Sequence, residues 1–343
     1  MNCTNSKIGM LLATFNSERF LKIQLHSIFN QTMLPHEIII SDDHSVDATN
    51  EIVERLIDDN RHSMQIDRRS NVADAQGLHS NFRNLFKMAL ESPSDVYFLS
   101  DHDDIWFPRK IETSVIALQS LDEKIGAENS PLLVYSDLAV VNEHGSTVCT
   151  SFAEYQGLPD PHAQPLASLL HQNVVTGCTC CFNRQLLEIA CPIPEEVVMH
   201  DHWLALCARV FGHWHYIDEP LVKYRQHGKN AVGAKRSLKS GLSALLDPAF
   251  LKALSNFPWH FAQSIEQANA LLERIELRSV AVAEADVKTI KAFVMLKEAG
   301  LGERVSQGLK WVSMDNSVLK RIYLIAVFAV LPYLRVRKAE DAI

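Results

Sequence analysis

The sequence has no surplus of positive charge. Its 33 Lys and Arg stand against 41 Asp and Glu, a formal net charge of -8. A phosphate backbone calls for a basic surface, so this balance argues against a nucleic-acid partner. The deficit is uneven: residues 1–235 carry 18 basic and 30 acidic side chains, whereas 236–343 carry 15 and 11. Long apolar runs are also missing. The stretch Ile322 to Leu334 is free of charge for 13 residues and contains Pro332, short of the roughly 20 needed to cross a bilayer. The start, "MNCTNSKIGMLLATFN", shows no basic region followed by a long apolar segment, so no leader is expected. Seven cysteines, an odd number without a leader, point to reduced thiols and a cytoplasmic location. No internal repeat or low-complexity tract is present.

What is there alternates between strand-like and helix-like segments. "KIGMLLATFN" (7–16) reads as a buried strand, and Phe20, Leu21, Leu25, Ile28 and Phe29 then recur at helical spacing. "HEIIISDDHSVD" (36–47) is a second strand ending in acids, followed by a helix over 48–60. A short strand at 64–69, a helix over 77–91 and a strand over 96–100 follow. Strands alternating with helices, without tight hairpins, predict an α/β fold with a parallel sheet. Further elements are a helix over 109–121, a strand over 132–141, a loop-rich segment over 142–165, the helix "HWLALCARVFG" and the strand-like "HWHYIDEPLVKYRQH". From about 236 the texture is helical. The expected organisation is a catalytic domain over 1–235 and a helical region over 236–343.

Ligands of parallel sheets bind at the carboxyl ends of the strands. Three strands end there in polar or acidic loops: "ATFN", "SDDHS" and "SDHDD". In an extended strand residues two apart share a face, so Asp101 and Asp103 are expected on one side and His102 on the other. Two carboxylates so placed suit Mg²⁺ or Mn²⁺, hard cations that take oxygen ligands. The alternative is that these acids cap the helix that follows around Pro108. "HDH" at 200–202 could be a transition-metal site if extended, but "WLALCARV" behind it is helical. In "YRQHGKN", Arg225 and Lys229 could contact phosphate, or sit in an ordinary basic loop. The cysteines of "GCTCCF" lack the paired spacing of a zinc ribbon and read as small apolar side chains of a buried strand.

Five motifs in order, "LLATFNSERFLKIQLHSIFNQT", "IIISDDHSVDAT", "LSDHDDIWFPRK", "HDHWLAL" and "YRQHGKNAVGA", resemble family-2 glycosyltransferases of the GT-A fold, in particular the bacterial rhamnosyltransferase-like group that builds surface polysaccharides. The resemblance covers about residues 6–235, and departs from the family's common wording in having His102 where Gln is usual. It implies a Rossmann-like, mostly parallel sheet flanked by helices. It also implies a divalent cation at Asp103 and Asp101, approached by His227, that neutralises the charge of a departing nucleoside diphosphate. Asp43 would accept a hydrogen bond from the donor's pyrimidine ring, with Asp42, Ala13, Thr14, Phe15, Asn16 and Glu18 lining the same pocket. Asp201 would be the general base of an inverting displacement. Asp104, Trp106, His200, His202, Arg225 and Lys229 are further candidates for diphosphate or acceptor contacts.

The donor expected from this resemblance is dTDP-rhamnose, with UDP-sugars as the other choice, and the acceptor a saccharide, lipid-linked as in O-antigen assembly. The helix over 318–338, flanked by Lys320, Arg321, Arg335, Arg337 and Lys338, suits peripheral attachment to the cytoplasmic membrane; the other reading is a packed helix. Two rival functions compete with transfer of a sugar. A nucleotidyltransferase would bring a glycine-rich phosphate loop, and "ATFNSERF" has none. A non-catalytic nucleotide-sugar binder would have no use for the candidate base.

Overall fold

The computed structural model describes residues 6–60, 65–70, 77–197, 199–228, 248–278, 280–300, 302 and 306. In chain order the elements are β1 (Ile8–Thr14), α1 (Leu21–Phe29), β2 (Glu37–Asp42), α2 (Thr49–Asn60), β3 (Gln65–Ser70), α3 (Leu78–Glu91), β4 (Val96–Ser100), β5 (Ile105–Trp106) and α4 (Lys110–Ile125). They continue with β6 (Leu132–Val141), β7 (Thr147–Cys149), α5 (Phe152–Gln156), α6 (Leu166–Leu169), β8 (Cys181–Asn183), α7 (Arg184–Ala190), α8 (His200–Phe211), β9 (His213–Arg225), α9 (Pro248–Arg278) and α10 (Glu284–Val294).

The chain divides into two compact units. The first comprises residues 1–162, 175–193 and 199–235. It holds a nine-stranded sheet ordered β3-β2-β1-β4-β8-β6-β9-β5, with β7 beside β6. The strands β3, β2, β1 and β4 run parallel. Every residue of β1, β2 and β4 is buried, as expected when helices cover both faces of a parallel sheet. Their continuous apolar runs, Met10 to Leu12, Ile38 to Ile40 and Tyr97 to Leu99, are fully or almost fully enclosed. The sheet is mixed α/β rather than uniformly parallel. The three-residue β8 lies antiparallel between β4 and β6. Its Asn183 side chain accepts from the Leu132 N–H at 2.9 Å and caps α7 through the Leu186 N–H at 3.1 Å.

Two departures from the sequence-based expectation have a local cause. A tight hairpin does occur, joining β6 to β7. Asn142 Oδ1 accepts from the N–H groups of His144 and Ser146, and Gly145 takes a φ of +84° that other residues rarely adopt. The segment expected to be loop also contains α5, capped by the Ser151 hydroxyl on the Glu154 N–H.

The second unit takes in not only residues 236–343 but also 163–174 and 194–198, which the sequence pattern assigns to the first. Within it α9, α10 and α6 pack together around Phe261, Ile265, Leu271, Ile290 and Phe293, with the Phe261 and Phe293 rings edge-on at 5.3 Å.

Candidate functional site

The carboxyl ends of β1, β2 and β4 meet in the first unit, and the loops beyond them are cross-linked. Beyond β1, Asn16 has φ +46° and its amide oxygen accepts from the Val46 N–H at 3.0 Å, while its own N–H donates to Ser45 Oγ at 2.8 Å. Glu18 reaches the Ala48 N–H at 3.1 Å, and Asp47 accepts from Glu18 N–H and from Thr49 N–H at the start of α2. Asp42 receives the Thr14 hydroxyl at 2.8 Å, the Ser45 N–H at 2.9 Å and the Ser45 hydroxyl at 2.6 Å. It is a turn-builder, tied to the chain on both sides. Asp43, buried beside it, accepts the Gly77 N–H at 2.7 Å, and its own N–H bonds the Thr14 carbonyl. Ala13 and Thr14 are buried, whereas Phe15 is 53% exposed at the rim. The turns after β1 and β2 are therefore one cross-linked structure.

The acidic stretch behaves differently from a continuing strand. β4 ends at Ser100, and residues 101–104 bend. The two-residue alternation that would put Asp101 and Asp103 on one face, with His102 pointing away, therefore does not apply. The His102 ring is half-buried rather than turned to solvent, and burial holds its pKa down. Burial pushes Asp103 up, but its bond to His227 Nε2 at 2.8 Å and the charges of His102 and His227 together outweigh this and leave it below the ordinary carboxylate value. Asp101 has the opposite balance: burial, with Asp103 and Asp201 adding repulsion, pushes it up to about 7. Asp104 is 0% exposed and raised well above its ordinary value by burial, then by Asp103 and Asp101.

Arg225 is not a cation held out for phosphate. It is buried, and its Nε donates to the Asp103 carbonyl at 2.8 Å and Nη1 to the Glu143 carbonyl at 2.8 Å. Its guanidinium lies 4.7 Å from the Phe20 ring, which in turn sits 4.9 Å from the His227 ring. Arg225 thus ties the acidic bend to the end of β9, just ahead of His227. Lys229 lies outside the described residues.

Asp201 occupies the first turn of α8 and is 6% exposed. Its Oδ2 accepts the Gly177 N–H at 3.0 Å and its Oδ1 the His202 N–H at 2.7 Å. These main-chain donors hold the carboxylate in a fixed orientation at the start of α8. His200 and Trp106 face the core rather than a ligand. The His200 ring stacks on Phe82 at 3.5 Å, burial pushes its pKa down to about 3, and neither ring nitrogen has a hydrogen-bond partner. Trp106 packs 5.9 Å from Phe98 with the Lys110 ammonium 4.2 Å over its ring. His202 is buried too. The segment "HDHWLAL" is helical, and this separates the two histidines.

Gly177 is a site residue that the sequence pattern does not single out. A Cβ there would lie 2.8 Å from His200 Nε2 and 3.7 Å from Asp201 Oδ2. A lone glycine in an apolar run marks such a close approach, a signal masked here by the neighbouring cysteines. Because His200 is wedged against Phe82, Gly177→Ala must displace the Gly177–Asp201 bond. Thermal unfolding should show a loss of about 1–3 kcal/mol, the cost of leaving a buried partner unsatisfied.

The stretch 318–338 lies outside the described residues. Among the described residues, no helix is long and apolar enough to cross a membrane.

Residues 10–125 match the family model for glycosyl transferase family 2. The chain is 28% identical over 272 residues to the dTDP-rhamnosyl transferase RfbG of Shigella flexneri, covering 76% of this chain and 85% of that one. It is 25% identical over 234 residues to an uncharacterized glycosyltransferase, alr2836, of a Nostoc strain, covering 65% and 66%. Among solved structures, S. aureus TarS superposes with a TM-score of 0.53 at 13% identity. That match takes in 95% of this chain but only 55% of TarS, so the chain spans about half its length. At this identity the likeness speaks for the fold.

Proposed function

We propose that this chain, a glycosyltransferase of family 2, transfers a hexosyl group from a nucleoside-diphosphate sugar to a saccharide hydroxyl, with inversion at the sugar carbon and with a divalent cation. The observation that carries the reading is the position of Asp101. A carboxylate oxygen of it lies within 4.8 Å of the Cys178 sulfur, the neighbouring Gly177 donates its N–H to Asp201 at 3.0 Å, and Asp103, two residues on, meets His227 at 2.8 Å. A donor-side pair and a candidate base therefore share one cluster at the strand ends.

The residues fit a hard divalent ion. Asp101 and Asp103 offer carboxylate oxygens, and the repulsion among the acids is what a cation relieves. Such an ion, when bound, supplies charge to a departing diphosphate. Asp43 and the linked turns at Asn16 and Glu18 would orient the nucleotide base. Asp201 would take the proton of the acceptor hydroxyl as its oxygen bonds the sugar carbon. The bond from that carbon to the diphosphate breaks on the opposite face, and the leaving nucleotide keeps the electron pair. Likeness to a dTDP-rhamnosyl transferase favours dTDP-rhamnose over UDP-sugars.

A panel of nucleotide sugars with Mn²⁺, read by thermal shift, tests the reading. A donor at 100 times its Kd should stabilise the fold by about 2.7 kcal/mol; no shift with any of them would contradict it. Asp43→Ala should raise donor KM strongly with kcat at saturation nearly unchanged, because its part is recognition before the chemical step. A fall in kcat at constant KM would give Asp43 another part.

The raised Asp101 fixes a pH dependence. In metal-free protein this group, protonated more readily folded than unfolded, costs stability as pH rises from its ordinary value of 3.8 to about 7. A divalent ion needs the carboxylate, so its affinity should fall by about tenfold for each pH unit below 7. Calorimetric Mn²⁺ titrations between about pH 5.5 and 8 check this, and a flat profile would count against Asp101 as a ligand.

A further inference from the structure

Beside the acids lies a thiol that the sequence pattern assigns to ordinary core. Among the described residues, one group of potential ligands converges: a carboxylate oxygen of Asp101, one of Asp104 and the sulfur of Cys178, all within 4.8 Å of one another. Asp104 is fully buried, and its Oδ2 has no hydrogen-bond partner. Its Oδ1 accepts only a long bond, 3.2 Å, from the Arg225 N–H. A buried carboxylate oxygen left in this state is costly, and the same carboxylate has an oxygen in the cluster. Asp101 is partly exposed, which gives the group an opening to solvent.

We propose that Asp101, Asp104 and Cys178 form a second cation site, selective for a thiophilic divalent ion such as Zn²⁺ or Cd²⁺, whose occupation silences the enzyme by withdrawing Asp101 from the donor site. Sulfur sets the selectivity. Mg²⁺ and Mn²⁺ prefer all-oxygen shells, whereas a thiolate with two carboxylates and an open position suits tetrahedral zinc. The two sites share Asp101, so an ion held with Asp104 and Cys178 competes with the donor-side ion for that carboxylate. The silencing half rests on the proposed function, and the binding half does not.

The acids around Asp101 keep the site electronegative, and the buried Lys110 is compatible with a second cation. Lys110, also without a hydrogen-bond partner, is held over Phe98 and Trp106 at 5.0 and 4.2 Å. Burial lowers its pKa to about 8, so it can give up its proton when another positive charge arrives. Zinc binding at Cys178 releases the thiol proton as well.

The test is Cd²⁺ titration of the full chain in the absence of donor, followed by the ultraviolet sulfur-to-cadmium absorption band. The band should appear at one equivalent in the wild type and be absent, or shifted to much higher Cd²⁺, in Cys178→Ser. The weakening should be at least the roughly 10- to 100-fold that loss of an outer partner costs. Cys180→Ser, two residues away, should bind as the wild type does. A band that survives Cys178→Ser, or that disappears with Cys180→Ser instead, overturns the site. If Cys178→Ser does not fold, X-ray absorption of the wild-type zinc complex decides: one sulfur at about 2.3 Å with oxygens near 2.0–2.2 Å is expected, and an all-oxygen shell overturns it. Silencing is read separately, as loss of Mn²⁺-supported donor turnover on adding Zn²⁺ to wild type but not to Cys178→Ser. Cadmium binding without zinc inhibition would support the site and overturn its shared use of Asp101. A wild type that turns over no nucleotide sugar at all would instead count against the proposed function, with the cadmium band unaffected.

Discussion

Asp103→Asn is expected to remove divalent-ion-dependent donor binding while the protein stays folded. Asp103 is the carboxylate whose Oδ2 meets His227 at 2.8 Å, and it is the one acid of its bend held below the ordinary carboxylate value. Asparagine keeps the size and one oxygen but carries no charge, so ion and histidine both lose their anionic partner. Removing a carboxylate that holds the ion should weaken its binding by at least the roughly 10²-fold that marks strong outer-shell effects. The fold should survive, because the main-chain carbonyl of Asp103, which Arg225 bonds, is unchanged. Calorimetric donor titrations with and without Mn²⁺ give the comparison. Equal donor affinity in both conditions for the wild type would sink the metal role, and a mutant as responsive to Mn²⁺ as the wild type would move it to other residues.

Asp201→Asn should leave donor affinity nearly normal and reduce transfer by roughly 10²–10⁴, the usual worth of a positioned proton acceptor. The two backbone donors make this mutation informative. The substituted amide can keep its oxygen on one of the Gly177 and His202 N–H groups, and its nitrogen then faces the other. The lost bond should cost only about 1–3 kcal/mol of stability, so the folded mutant remains measurable. Parallel loss of donor and ion binding would instead place Asp201 on the diphosphate side.

Much of the fold is legible in the sequence because apolar runs in a parallel sheet are continuous and end in polar loops. Strand β6 has the bounds its apolar run predicts, Leu132–Val141, and the acids at the ends of β2 and β4 mark the candidate site. The antiparallel β8 is less legible: three buried residues between a turn and a helix carry no period to count. The bend after Ser100 is hidden for a related reason. Alternation assumes that a strand continues, and nothing in "SDHDD" announces that it stops. Arg225, Trp106 and His200 show the other limit. Their chemistry suggests ligand contact, but Arg225 is buried and donates to two main-chain carbonyls, and the two rings pack on Lys110 and Phe82. Residue type gives what a side chain can do, and only packing decides which way it turns. Gly177 and Cys178 make the same point in reverse, since both gain their place from α8 and the acidic bend, neither of which is near in sequence.

The central claim is that one cluster at the strand ends both holds a nucleotide-sugar donor and takes a proton from the acceptor. Its most direct test is single-turnover transfer at saturating donor by Asp201→Asn, read beside a calorimetric donor titration of the same preparation. A mutant that binds the donor as the wild type does, with Mn²⁺, but transfers about 10²–10⁴ times more slowly is the expected result. A mutant that transfers at the wild-type rate would contradict the account.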